Sequence, residues 1–322
     1  MNPDGFAADL ARKPEVLGRL ADSLAGENPW AAVLPDGVQR VVLLGMGSSA
    51  YAGGVAAARM RAHGIVAVSQ LASSALLPDW GPGTLVVATS ATGGSVETLD
   101  ALRRLPSGVT TVALTNTPGS TITERCDAVV ELRAEHEEGG VACRSFQHTL
   151  ALLIALQLHL TGVGTATLTG ALRTSATASA HLLDGENDWR PEVSELLLGR
   201  SGTYLAAPAH RFCSAQQGAL MLREGPRRAA VGCETGDWSH VDVYLTKTQD
   251  YRLLVFAGSP WEEQMAEWTT LRKTTVVGVG GPVPGAGFSV RYPGDEDDDV
   301  RLLTEVLVPE LVAARAWQAV LA

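Results

Sequence analysis

The sequence predicts an α/β protein with two doubly wound parallel-sheet subdomains and flanking N- and C-terminal helices. Three observations carry this expectation. Continuous apolar runs, such as Val41-Val42-Leu43-Leu44 and Leu85-Val86-Val87-Ala88-Thr89, have the character of strands buried on both faces. These two runs each end in a turn rich in glycine and hydroxyl groups, which opens onto a helix-like stretch. The alternation then returns less cleanly in the second half, suggesting a duplicated plan without an obvious sequence repeat.

In chain order, residues 8–33 read as one or two short helices on an apolar stripe of Leu10, Val16, Leu17, Leu20 and Leu24. Val41–Leu44 is the first strand, Ser48–Arg61 a small-residue helix and Ile65–Val68 the second strand. Leu85–Thr89 feeds a helix from Ser95 to Arg104, and Val109–Leu114 ends at the turn Asn116-Thr117-Pro118-Gly119. A fifth run, Ala128–Glu131, precedes a loop and the long helix Ser145–Leu160. Thr161–Ser179 is rich in Thr, Ala, Gly and Ser, which places the domain junction there, with Leu168–Leu183 open to a partly helical reading. The expected domains are 1–175, holding the N-terminal helices and first sheet, and 176–322, holding the second sheet and a C-terminal helix. In the latter, Thr203–Ala207, Ala229–Gly232, Arg252–Phe256 and Thr274–Val279 read as strands. Ser214–Arg223, Trp261–Leu271 and a stretch from about Val300 onward read as helices.

At 322 residues the chain has room for two domains, and 46% apolar residues are ordinary for a globular protein. A net charge of −10 and a pI near 5.2 argue against nucleic acid and anionic membrane as partners. Cys126, Cys143, Cys213 and Cys233 are scattered without a CxxC, so reduced and mostly buried thiols are expected. The N-terminal residues lack the charged and apolar regions of a signal peptide. Leu150–Leu160 is too short to span a bilayer and carries Gln157 and His159, so a cytoplasmic protein is expected.

The informative turns are Gly45-Met46-Gly47-Ser48-Ser49 and Ser90-Ala91-Thr92-Gly93-Gly94-Ser95-Val96-Glu97-Thr98. Glycines and hydroxyls at a strand-to-helix turn make a nest of donors suited to a phosphate monoester. Neither turn contains Lys or Arg, so amides, hydroxyls and helix dipoles would hold the anion. Gly45-Met46-Gly47 also opens like a dinucleotide fingerprint, but the second strand ends in Ser69-Gln70, without the acid that binds a ribose. In the second turn, Ser95 with Glu97 and Thr98 fits a helix cap, and capping needs only one hydroxyl. The surplus of Ser90, Thr92 and Thr98 favours a ligand.

On these turns the chain resembles the sugar isomerase (SIS) domain family in its double-domain form. That family includes the isomerase half of glucosamine-6-phosphate synthase and stand-alone phosphosugar isomerases and deglycases. Its GTS and SxSGxTxxT strings correspond to Gly47-Ser48-Ser49 and to the turn from Ser90 to Thr98. Asn116-Thr117-Pro118-Gly119-Ser120 is similar to its N-x-P-x-S turn, and Glu138-Gly139-Gly140-Val141-Ala142 to a loop that touches the sugar. The resemblance implies flavodoxin-like subdomains, with phosphate ligands at Ser49, Ser90, Thr92 and Ser95. It also implies sugar contacts at Gly47, Ser48, Ala91 and Val141. In the second half, Gly218-Ala219-Leu220-Met221-Leu222-Arg223-Glu224 resembles the family's G-A-L-K-L-K-E helix. The resemblance makes Glu224 the carboxylate that moves a proton between C1 and C2, and His240, sixteen residues on, the ring-opening group. The chemistry suits both types: a buried glutamate makes a base near neutrality, and imidazole both gives and takes a proton. Neither a metal nor a cofactor is implied. A sugar phosphate is the expected ligand, in a homodimer whose active site lies near the subunit interface.

The chain departs from the pattern at several points. Met221 replaces a lysine, Ala91 a glutamine, and the stretch Val141-Ala142-Cys143-Arg144 is one residue short. His240 is followed by Val241-Asp242 rather than Gly-Pro, and Lys273 is the last lysine, so no counterpart of the family's Schiff-base tail lysine is seen. No glutaminase domain precedes the match, so ammonia release from glutamine is not expected. The expectation is therefore aldose–ketose isomerisation of a hexose or amino-hexose 6-phosphate. An amino-sugar-phosphate deglycase or deaminase, and a non-catalytic phosphosugar sensor, remain alternatives. Taken singly, Glu224 before Gly225-Pro226 also reads as a surface carboxylate at a helix end, and His240 as an incidental loop residue. Glu234, Asp237 and His240 share a loop suited to a hydrogen-bonded trio, while Trp238 suits a core position. Asp295-Glu296-Asp297-Asp298-Asp299 reads as the acidic cap of a helix rather than as a cation site.

Overall fold

A computed structural model describes residues 1–321. The chain forms two compact units. One comprises Val16–His136 and Arg144–Leu172; the other comprises Met1–Glu15, Glu137–Cys143 and everything from Arg173 on. The chain begins with α1 (Pro3–Ala11) and α2 (Lys13–Gly26), and the five positions of the expected apolar stripe are all buried.

The unit around Val16–His136 is built on a five-stranded sheet. Its strands are β1 (Arg40–Gly45), β2 (Val66–Leu71), β3 (Thr84–Thr89), β4 (Thr110–Thr115) and β5 (Ala128–Glu131). They lie in the order β2-β1-β3-β4-β5, and every pairing is parallel. Every residue of β3 and five of the six in β1 are buried, as continuous apolar runs at the centre of a parallel sheet require. Helices α3 (Ser48–Ala62), α4 (Val96–Arg103) and α5 (Arg144–Leu160) supply the crossovers and covering layers. Nearly all of α5 is buried, including Arg144, whose Nε donates to the Ala134 carbonyl at 3.0 Å.

The Thr161–Ser179 stretch is more ordered than its composition suggests, because α6 runs from Ala166 to Asp184. Leu172, Ser175, Ala178, Ser179 and Leu182 are buried at helical spacing. The neighbouring Thr174 is approached closely by another segment: a Cβ on Gly294 would lie 2.5 Å from Thr174 Cγ2. Helix α7 (Glu186–Leu197) follows, in a stretch where no element was expected, and carries Pro191 inside it.

The other unit repeats the first sheet's plan. Its strands are β6 (Thr203–Ala207), β7 (Ala230–Glu234), β8 (Arg252–Phe256), β9 (Thr275–Val279) and the short β10 (Phe288–Val290). They are ordered β10-β9-β8-β6-β7 and are again all parallel. Read from its own first strand, this is the same 2-1-3-4-5 order, the flavodoxin-like arrangement. Helices α8 (Phe212–Glu224), α9 (Thr235–Trp238), α10 (Glu262–Leu271), α11 (Asp298–Thr304) and α12 (Leu307–Leu321) complete the unit. Trp238 is fully buried and donates to the Tyr251 hydroxyl at 2.9 Å, with Tyr251 stacked on Tyr204, so it serves the core. Asp297 caps α11, accepting from the amides of Asp299 and Val300 at 2.8 and 3.1 Å. The four cysteines are free thiols, three of them buried. Among the described residues no helix is long and apolar enough to cross a membrane.

Candidate active site

In a doubly wound sheet, ligands favour the crevice at the carboxyl ends of the strands where the connections diverge to opposite faces. In the first sheet that point lies between β1 and β3, whose register pairs Leu44 with Ala88. The two hydroxyl-rich turns leave the sheet there, side by side.

After β1 the backbone turns sharply. A Cβ on Gly45 would lie 2.8 Å from that of Ser49, and Gly47 has φ +50°, both of which demand glycine. Gly47 occupies the cap position of α3 and offers no side chain, so the helix start is uncapped. Among the described residues the hydroxyls of Ser48 and Ser49 have no protein partner, and both side chains are partly exposed. The Ser49 amide is spent on the Met46 carbonyl at 3.1 Å, but the two hydroxyls at this uncapped helix start are donors without a resident acceptor.

The turn after β3 divides its hydroxyls between structure and solvent. Ser95 caps α4, accepting from the Thr98 amide at 3.3 Å and from the buried Thr98 hydroxyl at 3.1 Å. It also donates to Glu97 Oε2 at 3.0 Å. Ser90 is buried and accepts from the Ser95 amide at 3.4 Å. Thr92 is exposed, with one weak contact to the Gly94 amide at 3.5 Å. The turn is pinned from the β4 side: the Ala91 carbonyl accepts from the Asn116 amide and the Thr117 hydroxyl at 3.0 and 3.1 Å. Gly93 sits at φ +69°, where a Cβ would fall 1.9 Å from Ser120 Oγ. The Asn116–Ser120 turn therefore acts as the template that shapes the hydroxyl loop.

The loop Glu137–Cys143 belongs to the other unit and carries Val141, which is buried. Asp9 of α1 clamps it, accepting from the amides of Glu138 and Gly139 at 3.1 and 2.8 Å. Gln217 of α8 donates to the Ala142 carbonyl at 2.7 Å. The loop is thus fixed to the helix whose last residue is Glu224. Glu224 is half-buried; burial raises its carboxyl above the ordinary 4.5, while Arg223 and Arg227 pull the other way. His240 is exposed, and only its backbone amide is engaged, with the Asp237 carbonyl at 2.8 Å. The expected trio around His240 does not form, because Glu234 instead caps α9 through the Asp237 amide at 2.8 Å.

The second sheet has its own divergence point, between β6 and β8. Here Glu262 accepts from the amides of Gly258 and Ser259 at 2.6 and 2.8 Å. Arg211 is fully buried, pairing with Glu305 and lying 3.4 Å from Asp298. Burial pushes the Glu305 carboxyl up to about 7, with Arg211 opposing. The charges at this point pair with one another.

Residues 37–159 match the model of the SIS domain. This match contains both hydroxyl turns, the Asn116–Ser120 turn and most of α5. A curated relative, the isomerizing glutamine–fructose-6-phosphate aminotransferase of Aeropyrum pernix, is 28% identical over 319 residues, covering 95% of this chain and 50% of that protein. The chain therefore spans about half the length of the curated relatives it matches. Among solved structures, the C-terminal domain of glucosamine-fructose-6-phosphate aminotransferase from Francisella tularensis is similar at TM-score 0.80 and 15% identity, over 98% of this chain and 96% of that one. Tagatose-6-phosphate ketose/aldose isomerase from Escherichia coli is similar at TM-score 0.79 and 16% identity, over 98% and 93%. These likenesses show a fold shared across both sheets.

Three features escaped the sequence reading. The Asp9 clamp joins residues 129 and 130 positions apart, and the Arg211–Glu305 pair spans 94, so no local pattern announces either. The third is a group of arginines beyond Glu224. The dipeptide Arg227-Arg228 was the one visible signal for it.

Proposed function

We propose that the protein is an aldose–ketose isomerase of a hexose or amino-hexose 6-phosphate, working through an enediol or enediolamine intermediate. The phosphoryl group sits at the β1/β3 divergence of the SIS domain, against Ser49, Ser90, Thr92 and Ser95. The sugar chain meets Gly47, Ser48, Ala91 and the loop of Val141. Val141 itself is buried, so that loop's contribution is by its backbone. Glu224 takes the proton from C2 of the aldose and returns it to C1, while the proton on O2 passes to O1. Carbon C2 is oxidised and C1 reduced within one molecule, so no external electron acceptor enters the balance.

The observation that carries this reading is the donor set at the β1/β3 divergence, where the start of α3 has neither a cap nor a resident carboxylate. A half-buried Glu224 with a raised pKa supports the role of base. His240, exposed and without a side-chain partner among the described residues, suits ring opening across the interface of a homodimer. The names of the similar proteins, aminotransferase and ketose/aldose isomerase, support chemistry at C1 and C2 of a sugar phosphate.

The test is turnover of fructose 6-phosphate and glucosamine 6-phosphate by the wild-type protein and by Glu224→Gln. Removing the base lowers kcat by roughly 10²–10⁴-fold while ligand affinity stays within a few-fold. Undiminished turnover in the variant removes Glu224 from the mechanism. Binding without turnover by the wild type makes the protein a sensor.

A further inference from the structure

At the start of β6 and β7 lies an open hollow of about 530 Å³, lined by Leu198, Gly199, Arg200, Gly202, Arg227, Arg228 and Ala229. Three of these seven residues are arginines and none is acidic. Among the described residues, none of the three guanidinium groups forms an ion pair. Arg228 donates through Nη2 to the Gly199 carbonyl at 2.7 Å, and its Nε is buried without a partner. Arg227 reaches only Met1 Sδ, at 3.7 Å. The nearby carboxylate of Asp250 is taken by Arg252 at 2.6 Å and by the Arg200 backbone amide at 3.4 Å.

The chain carries 35 acidic residues against 25 basic ones, and many of its other arginines pair with carboxylates. Three guanidinium groups without a direct ion pair around one hollow repel one another, and among the described residues only Arg228 of the three makes a hydrogen bond to a backbone carbonyl, that of Gly199. Arg227 is also held at φ +59°, a left-handed conformation unfavourable for a residue with a side chain. Two glycines, Gly199 and Gly202, keep that side of the hollow free of side chains.

We propose that this hollow binds a multivalent oxyanion of the diphosphate type, with Arg200, Arg227 and Arg228 as its charge-assisted donors. The ligand is either free pyrophosphate or the polyphosphate tail of a nucleotide. Only the loop Gly225–Ala229 separates Glu224 from β7, and Arg227 is close enough to act electrostatically on the Glu224 carboxyl. Neutralising Arg227 with an anion therefore reaches the proposed proton shuttle. That consequence rests on the role proposed for Glu224; the binding itself does not.

The experiment is calorimetric titration with pyrophosphate of the Ser90→Asp protein, in which the hydroxyl turn carries its own negative charge and no longer competes for the probe. Saturable binding is expected. It weakens at least tenfold in added Arg228→Ala or in Arg227→Gly, the latter chosen because glycine suits the left-handed backbone. Arg103→Ala, which removes an exposed arginine already paired with Asp100 at 2.8 Å, leaves the affinity unchanged. ADP binding at least as tightly as pyrophosphate, with adenosine not binding, assigns the site to a nucleotide tail; weaker ADP binding assigns it to the free anion. Absence of saturable pyrophosphate binding, or equal affinity in all variants with unchanged melting temperature, overturns the proposal. Loss of hexose 6-phosphate turnover in the Ser90→Asp protein bears only on the isomerase reading.

Discussion

The two sheets share one strand order and differ at the place where that order invites a ligand. At the β1/β3 divergence the start of α3 has no cap, and the hydroxyls of Ser48 and Ser49 have no protein acceptor among the described residues. At the β6/β8 divergence α8 likewise starts without a side-chain cap, but the amides of Gly258 and Ser259 after β8 are held by the Glu262 carboxylate. Arg211, which would draw an anion there, is buried against Glu305 and Asp298. One copy of the plan leaves the hydroxyls of Ser48 and Ser49 without an acceptor among the described residues, and the other turns its charged groups inward. Topology supplies the crevice, and the side chains decide whether it is a site or a structural joint.

The sharpest way to break this contrast is to place a carboxylate inside the hydroxyl turn itself, at the buried Ser90. Ser90→Asp is expected to weaken hexose 6-phosphate binding by about 100-fold, or roughly 2.7 kcal/mol, by calorimetry. Unchanged affinity would mean that the phosphoryl group rests elsewhere. Next in size is Gly93→Ala, which combines an unfavourable φ with the clash on Ser120. It should destabilise the SIS domain by about 2 kcal/mol and lower its melting temperature, with ligand binding falling alongside. In the second sheet, Glu262→Ala leaves the buried Ser259 amide and the part-buried Gly258 amide without their acceptor and should lower stability by roughly 1–2 kcal/mol, by denaturant titration. Hexose phosphate affinity should not change; if it fell, the second divergence would be part of the site.

A pH profile probes the other unit. Burial raises the Glu224 carboxyl, so the protonated form persists to higher pH than in an ordinary glutamate, and the acid limb of kcat/KM should lie above 4.5. Because Arg227 holds that carboxyl down, Arg227→Ala should move the limb further up. Movement the other way would refute the coupling. The smallest effect is at Glu97, an exposed carboxylate that takes the Ser95 hydroxyl as acceptor. Glu97→Gln should strengthen hexose 6-phosphate binding by about 2–5-fold, within the range of a surface charge.

Much of this molecule was legible in its sequence where the determinant was local. The strand Arg252–Phe256 and the turn at Gly47 were readable because an apolar run or a glycine at a strand end has few other uses. Helix α6 was less legible, since its buried face includes small polar residues such as Ser175 and Ser179, whose composition looks like a linker. The hydroxyls of Ser90 to Thr98 could be counted but not apportioned. Only the structure shows that Thr98 is spent on Ser95, while Thr92 stays exposed. The Glu234–Asp237–His240 grouping failed for a related reason: the backbone of α9 needed a cap and took Glu234 first. Long-range pairs such as Asp9 with Gly139 left no periodic trace at all.

The most direct measurement is a crystal structure of the protein soaked in fructose 6-phosphate. Phosphoryl density against Ser49, Ser90, Thr92 and Ser95 is the predicted result. Density at Gly258 and Ser259, or in the arginine-lined hollow, with the hydroxyl turns empty, would contradict the account.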